Sequence, residues 1–92
     1  MQYGSKNNAK KLITTFGRIV EKCRKKQRKT AYRISAEVGL SKTTWREVEL
    51  GENDLKLSTL WKIAEGLDIS ADVLISDLKK ELGENFSLSD LK

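Results

Sequence analysis

The 92 residues contain no proline and no histidine, one cysteine and one methionine. Without proline, the chain lacks the residue that most strongly breaks a helix interior. Without histidine the usual imidazole acid–base group is missing, and a single cysteine leaves too few ligands for a zinc site. The scattered carboxylates form no pair and there is no Gly-rich phosphate loop. The sequence is therefore not expected to be an enzyme or to hold a cofactor or metal. Cys23 cannot form an internal disulfide and falls on an apolar helix face, which implies a buried, reduced thiol and a cytoplasmic setting. No apolar run is long enough to span a membrane, and the N-terminus does not resemble a signal peptide.

What is present fits one soluble domain with a single core: 38% of residues are hydrophobic and 34% charged. The net charge of +5 is unevenly spread. Residues 1–40 hold eleven Lys/Arg against Glu21 and Glu37, a net +9. Residues 41–92 hold seven Lys/Arg against eleven Asp/Glu, a net −4. One half can face a polyanion while the other faces water or a partner chain.

Periodicity indicates five helices and no strands. "MQYGSKNN" reads as a loose arm, so residues 1–11 are set apart from a domain over 12–82 and a tail over 83–92. Leu12, Phe16, Ile19, Val20 and Cys23 recur at steps of three and four, one stripe of an amphipathic helix. Its end, "RKKQRK", places cations where the helix dipole favours them. Thr30 reads as the N-cap of a second helix through Val38, with Ile34, Ser35 and Val38 inward. Gly39 suits the left-handed residue that ends a helix. Ser41 caps a third helix with Trp45 and Val48 inward, closed by Gly51. Ser58 reads as the cap of a fourth helix, whose buried stripe is Leu60, Ile63, Ala64 and Leu67. Ser70 starts a fifth helix with Leu74, Ile75, Leu78 and Leu82, and Gly83 stops it.

The join "VGLS" between the second and third helices is the informative feature. Two short helices held by a turn of three or four residues containing glycine make a helix-turn-helix. The first braces the second, which enters the major groove of DNA at a fixed pose. With Trp45 and Val48 inward, helical spacing puts Lys42, Thr43, Arg46, Glu47 and Leu50 on the outer stripe. Lys42 can donate to guanine, Thr43 can bond a base or touch a thymine methyl, Glu47 can accept from cytosine, and Arg46 can reach guanine or a phosphate.

Residues 16 to 75 resemble the helix-turn-helix domain of the Cro and phage-repressor class, the XRE type. "FGRIVEKCRKKQRKTAYRISAEVGLSKTTWREVELG" follows that family's first three helices, and "LSTLWKIAEGLDISADVLI" its fourth and fifth. The resemblance implies an all-α, five-helix, lambda-repressor-like fold. It also implies an ion pair between Arg24 and Glu49 that locks the third helix to the first, and phosphate contact from the start of the second helix. The implied DNA-binding residues are Arg28, Lys29, Thr30, Ser41, Lys42, Thr43, Arg46, Glu47 and Asn53. Three departures from the family pattern stand out. Ala31 replaces the usual glutamine phosphate anchor. Arg28 and Lys29 replace a glycine and an apolar residue. The loop after the third helix is acidic, with Glu52 and Asp54 around Asn53.

The function implied is a sequence-specific regulator of double-stranded DNA acting as a homodimer, with Leu74, Leu78 and Leu82 extending an apolar stripe towards a second copy. The roles open to it are a repressor, an antitoxin and a restriction–modification controller; "ENDLKLSTLWKIAEGLDIS" is especially similar to the controllers. The alternative is a protein-interaction module with the same fold, binding a toxin or polymerase subunit.

Overall fold

The computed structural model describes residues 3–89, with side chains from Asn7 onward. Five helices follow one another: α1 (Tyr3–Lys26), α2 (Ala31–Glu37), α3 (Lys42–Leu50), α4 (Leu57–Leu67) and α5 (Ala71–Leu82). No strand occurs among the described residues.

Two helix starts differ from the sequence reading, and α2 ends at Glu37 with Val38 as its C-cap, one residue earlier than expected. The backbone is helical from Tyr3, although a loose arm is expected over residues 1–11. Ala9, Lys10 and Lys11 are good helix formers with no breaker beside them. Asn8 Nδ2 also donates to the Ser87 carbonyl at 2.6 Å, which ties this extension to the tail. Met1, Gln2 and Asp90 to Lys92 lie outside the described residues. Helix α4 starts one residue before Ser58, and its N-cap is Lys56, which makes no side-chain capping bond.

Ser70, the N-cap of α5, makes no side-chain capping bond to the backbone either, whereas the caps of α2 and α3 follow local chemistry. Thr30 Oγ1 accepts from Arg33 N at 3.1 Å and Ser41 Oγ from Thr44 N at 3.0 Å. Gly39 takes φ +72°, and Leu40 N donates to the Ser35 carbonyl at 3.0 Å. That left-handed turn lets the chain change direction within the four residues 38–41, so α3 follows α2 at once.

The core explains the rest. Trp45, Ile34, Ile63, Leu67, Leu74 and Val20 are fully buried, and Phe16, Val48 and Leu78 nearly so. Burying each such side chain contributes about 1.5–3 kcal/mol, against about 1 kcal/mol for a good cap. Packing therefore decides the architecture and the caps set its boundaries. Ser35 is buried as expected, and its hydroxyl donates to the Tyr32 carbonyl at 3.0 Å.

This core limits what the three leucines expected at a subunit contact can contribute. Leu74 and Leu78 are 0% and 7% exposed, because α5 packs them against α1 and α4. Leu74 thus offers no surface and Leu78 little, while Leu82 is partly exposed. The large apolar side chains facing solvent include Leu57 at 75% and Trp61 at 59%, both on α4. No helix among the described residues is long and apolar enough to cross a membrane.

Candidate nucleic-acid interface

Helix α3 is nine residues long and is held from behind. Trp45 and Val48 turn one side into the core, which leaves Lys42, Thr43 and Arg46 exposed on the other. None of these three makes an ion pair with another described residue, so all three are available to a ligand.

Two features fix α3 against α1. The first is backbone contact. A Cβ added at Gly17 of α1 would overlap the Val48 carbonyl oxygen and lie 2.7 Å from that of Glu49. The second is an ion pair. Arg24 Nε and Nη2 donate to the two carboxylate oxygens of Glu49 at 2.6 and 2.9 Å, a bidentate fork. The hydrogen bonds to Glu49 raise the Arg24 pKa above the ordinary arginine value, outweighing its desolvation. Arg24 Nη1 also donates to the Lys29 carbonyl at 2.8 Å, so the same guanidinium anchors the turn between α1 and α2.

That turn carries the remaining cations. Arg28 closes α1 with φ +59°, and its amide donates to the Lys25 carbonyl at 3.0 Å. A side-chain-bearing residue in this region costs about 1 kcal/mol relative to a relaxed backbone. Arg28 is exposed, while Lys29 is half-buried and its Nζ sits 3.0 Å from Glu37 Oε1. The hydrogen bond from Lys29 holds the Glu37 carboxyl below the ordinary glutamate range. A depressed carboxylate keeps its pairing above that range and loses it only as pH falls through the lowered pKa. Lys29 is thus occupied at neutral pH.

A model of the helix-turn-helix family matches residues 20–74. Control protein C.MunI from Mycoplasma sp is 33% identical over 67 residues, 72% of this chain and 90% of that protein. The chain belongs to the helix-turn-helix family. In fold it is similar to the crystal structure of the restriction-modification controller protein C.AhdI from Aeromonas hydrophila, with a TM-score of 0.65. That match covers 67% of this chain and 94% of the other at 24% identity. The first is a control protein and the second a restriction-modification controller protein. The family match starts inside α1 and ends inside α5, leaving the first 17 of the 24 residues of α1, the last eight residues of α5 and the tail outside it.

In this helix-turn-helix domain most of the expected site residues are exposed, but not all are free. Arg28, Thr30, Ser41, Lys42, Thr43, Arg46 and Asn53 are on the surface. The hydroxyls of Thr30 and Ser41 are engaged in capping, and Ser41 Oγ also donates to Thr44 Oγ1 at 2.9 Å. Glu47 is half-buried at the edge of the stripe, lining a cleft of about 460 Å³ between α3 and α4. That cleft brings Lys56, Ser58, Thr59 and Lys62 beside Thr44 and Asn53, a set absent from the sequence expectation. Its signal was the polar face of α4 opposite Ile63 and Leu67. Tyr32, 69% exposed in the first turn of α2 beside Ala31, also lies outside the sequence expectation.

Proposed function

We propose that this DNA-binding regulator reads a specific duplex sequence as a homodimer, in the role of a restriction–modification controller in the cytoplasm. The observation that carries the reading is the uncommitted edge formed by Lys42, Thr43 and Arg46 on a helix fixed from behind by Arg24–Glu49 and the Gly17 contact. Lys42 and Arg46 are suited to guanine edges and Thr43 to a thymine methyl. Arg28, Lys29, Asn53 and the cations of the α3–α4 cleft supply phosphate contacts, which set orientation and most of the salt-dependent affinity. The similarity to C.MunI supports the controller role over the other regulatory roles.

The test is selection of bound fragments from a random duplex library, followed by titration at several salt concentrations. Affinity for the selected site should fall steeply between about 50 and 200 mM salt, with a logarithmic slope near 0.9 per phosphate neutralised. Lys42→Ala should relax preference at one base position at a cost of about 1–3 kcal/mol. Absence of binding at low salt would sink the reading and leave the protein-interaction module.

Lys29 and Glu37 give an opposed pair of expectations. Lys29→Ala should weaken binding to every duplex alike. Glu37→Gln releases the ammonium and removes a nearby negative charge, so it should tighten binding to random duplex roughly threefold at low salt. Anisotropy titrations on one labelled random duplex compare the two directly; changes of the same sign would remove Lys29 from the phosphate contacts.

For dimerisation, burial of Leu74 and Leu78 moves the proposed contact to α4. Leu57 and Trp61 stand one turn apart on the same side of that helix, and Trp61 adjoins Ile69 and Ala71. Such a patch favours a second copy, because one short recognition helix gives limited affinity and two-fold pairing doubles the DNA contact. Trp61→Glu should shift the sedimentation mass to that of a monomer and leave the helical spectrum unchanged. A dimer that persists in this variant rules out the patch.

A further inference from the structure

Trp45 is the largest side chain with no solvent exposure, and its one polar group is satisfied within α3. The indole Nε1 donates to Glu49 Oε2 at 2.7 Å, one turn along the helix. The same oxygen accepts from Arg24 Nε at 2.6 Å. At the far end of the ring lies Gly66 of α4. A Cβ there would be 3.5 Å from Trp45 Cη2 and 3.3 Å from Ile34 Cγ1 and Val38 Cγ1. One side chain on α3 thereby meets α4 at Gly66, beside Ile34 and Val38 at that same point, and α1 through Glu49. Packing alone tolerates small rotations, whereas a hydrogen bond has direction. The indole N–H joins ring and carboxylate into one unit reaching from Arg24 to Gly66, and α3 cannot roll about its axis without breaking an end of it.

We propose that Trp45, acting through Glu49 and seated over the space at Gly66, is the positioning residue that sets the roll of α3 and hence its base selectivity. The inference rests on the DNA-reading role above. Side-chain tips lie about 5–6 Å from a helix axis, so a roll of roughly 10° moves them by about 1 Å. That displacement breaks a base hydrogen bond. Phosphate contacts made from outside α3, such as Arg28, do not move with it. Loss of the positioning unit therefore separates two properties that simple destabilisation lowers together.

The experiment compares the unaltered protein with Trp45→Phe, which keeps an aromatic ring and loses the N–H. Binding to the library-selected duplex and to a scrambled duplex of equal length is measured at one salt concentration. Each affinity is corrected for the folded fraction read from circular dichroism. The ratio between the two duplexes should fall roughly tenfold, about the discrimination one good base contact provides. Affinity for the scrambled duplex should stay within about twofold, since its phosphate contacts are retained. An unchanged ratio overturns the proposal, because a purely structural role lowers both affinities equally. Gly66→Val keeps the indole bond, and its γ-methyl groups extend beyond the ordinary 3.5 Å contact a Cβ would make with Trp45 Cη2, so it pushes the ring from its far end and decides the matter if Trp45→Phe does not fold. It too should lose discrimination, and selectivity at the unaltered level overturns the proposal. An unaltered protein with no preference between the duplexes overturns the DNA-reading role itself, before any variant is compared.

Discussion

Glu49→Ala is expected to cost about 3 kcal/mol, because it strands a buried cation. Three donors lose their acceptor at once: Nε and Nη2 of Arg24 and Nε1 of Trp45. The Arg24 side chain is only 14% exposed, so water replaces the carboxylate poorly. Its remaining bond to the Lys29 carbonyl keeps the loss towards the lower end of the range for broken buried pairs. Domains of this size are stable by roughly 5–14 kcal/mol in total. At about 4–8 °C per kcal/mol, the thermal midpoint should drop by roughly 12–24 °C in a circular dichroism melt. A drop of only a few degrees would mean that the pair behaves as a surface ion pair, worth about 1 kcal/mol or less. Replacing both partners, as Arg24→Met with Glu49→Leu, should recover part of the stability because no charge is left unpaired, although the buried indole N–H of Trp45 still lacks its acceptor. Selective DNA binding should not recover with it, since apolar contact does not fix the orientation of α3. The double variant therefore separates stability from aim.

The same clamp illustrates what the sequence made legible. Thr30, Ser41, Gly39 and Gly51 mark their helix ends because capping is local chemistry, decided within three or four residues. The Arg24–Glu49 pair came through family resemblance, since nothing in a spacing of 25 residues predicts contact. Periodicity identified the apolar faces correctly but could not say what covers them. Leu74 and Leu78 thus looked available to a partner, although α1 and α4 already bury them. Long-range polar pairing was equally hidden. Lys29 reads as a free cation until the turn brings Glu37 within 3.0 Å. The helical start of α1 was obscured by the polar composition of residues 3–8, whose tie to Ser87 links opposite ends of the chain. The cleft residues of α4 were missed for a related reason, as their place beside α3 depends on tertiary packing.

Gly17→Ala sets two such levels against each other and has a sign that decides between them. On helix propensity alone, alanine inside a long helix should stabilise by about 0.8–1 kcal/mol. Tertiary packing predicts the reverse. The new methyl group meets the carbonyl oxygens of Val48 and Glu49, which belong to backbone that cannot rotate away as a side chain would. Helices α1 and α3 must separate, and forced overpacking of this kind costs about 1–3 kcal/mol, occasionally more. Here the cost should sit at or above the top of that range, because separation also stretches the fork between Arg24 and Glu49. The net expectation is a loss of about 2 kcal/mol, read as a lower midpoint in urea with an unchanged slope. Selective DNA binding should fall further than the folded fraction, since the displaced element is the one carrying Lys42, Thr43 and Arg46. A stabilised Gly17→Ala protein would show that α3 is not seated directly on α1. The fixed pose on which the DNA reading depends would then lack its support.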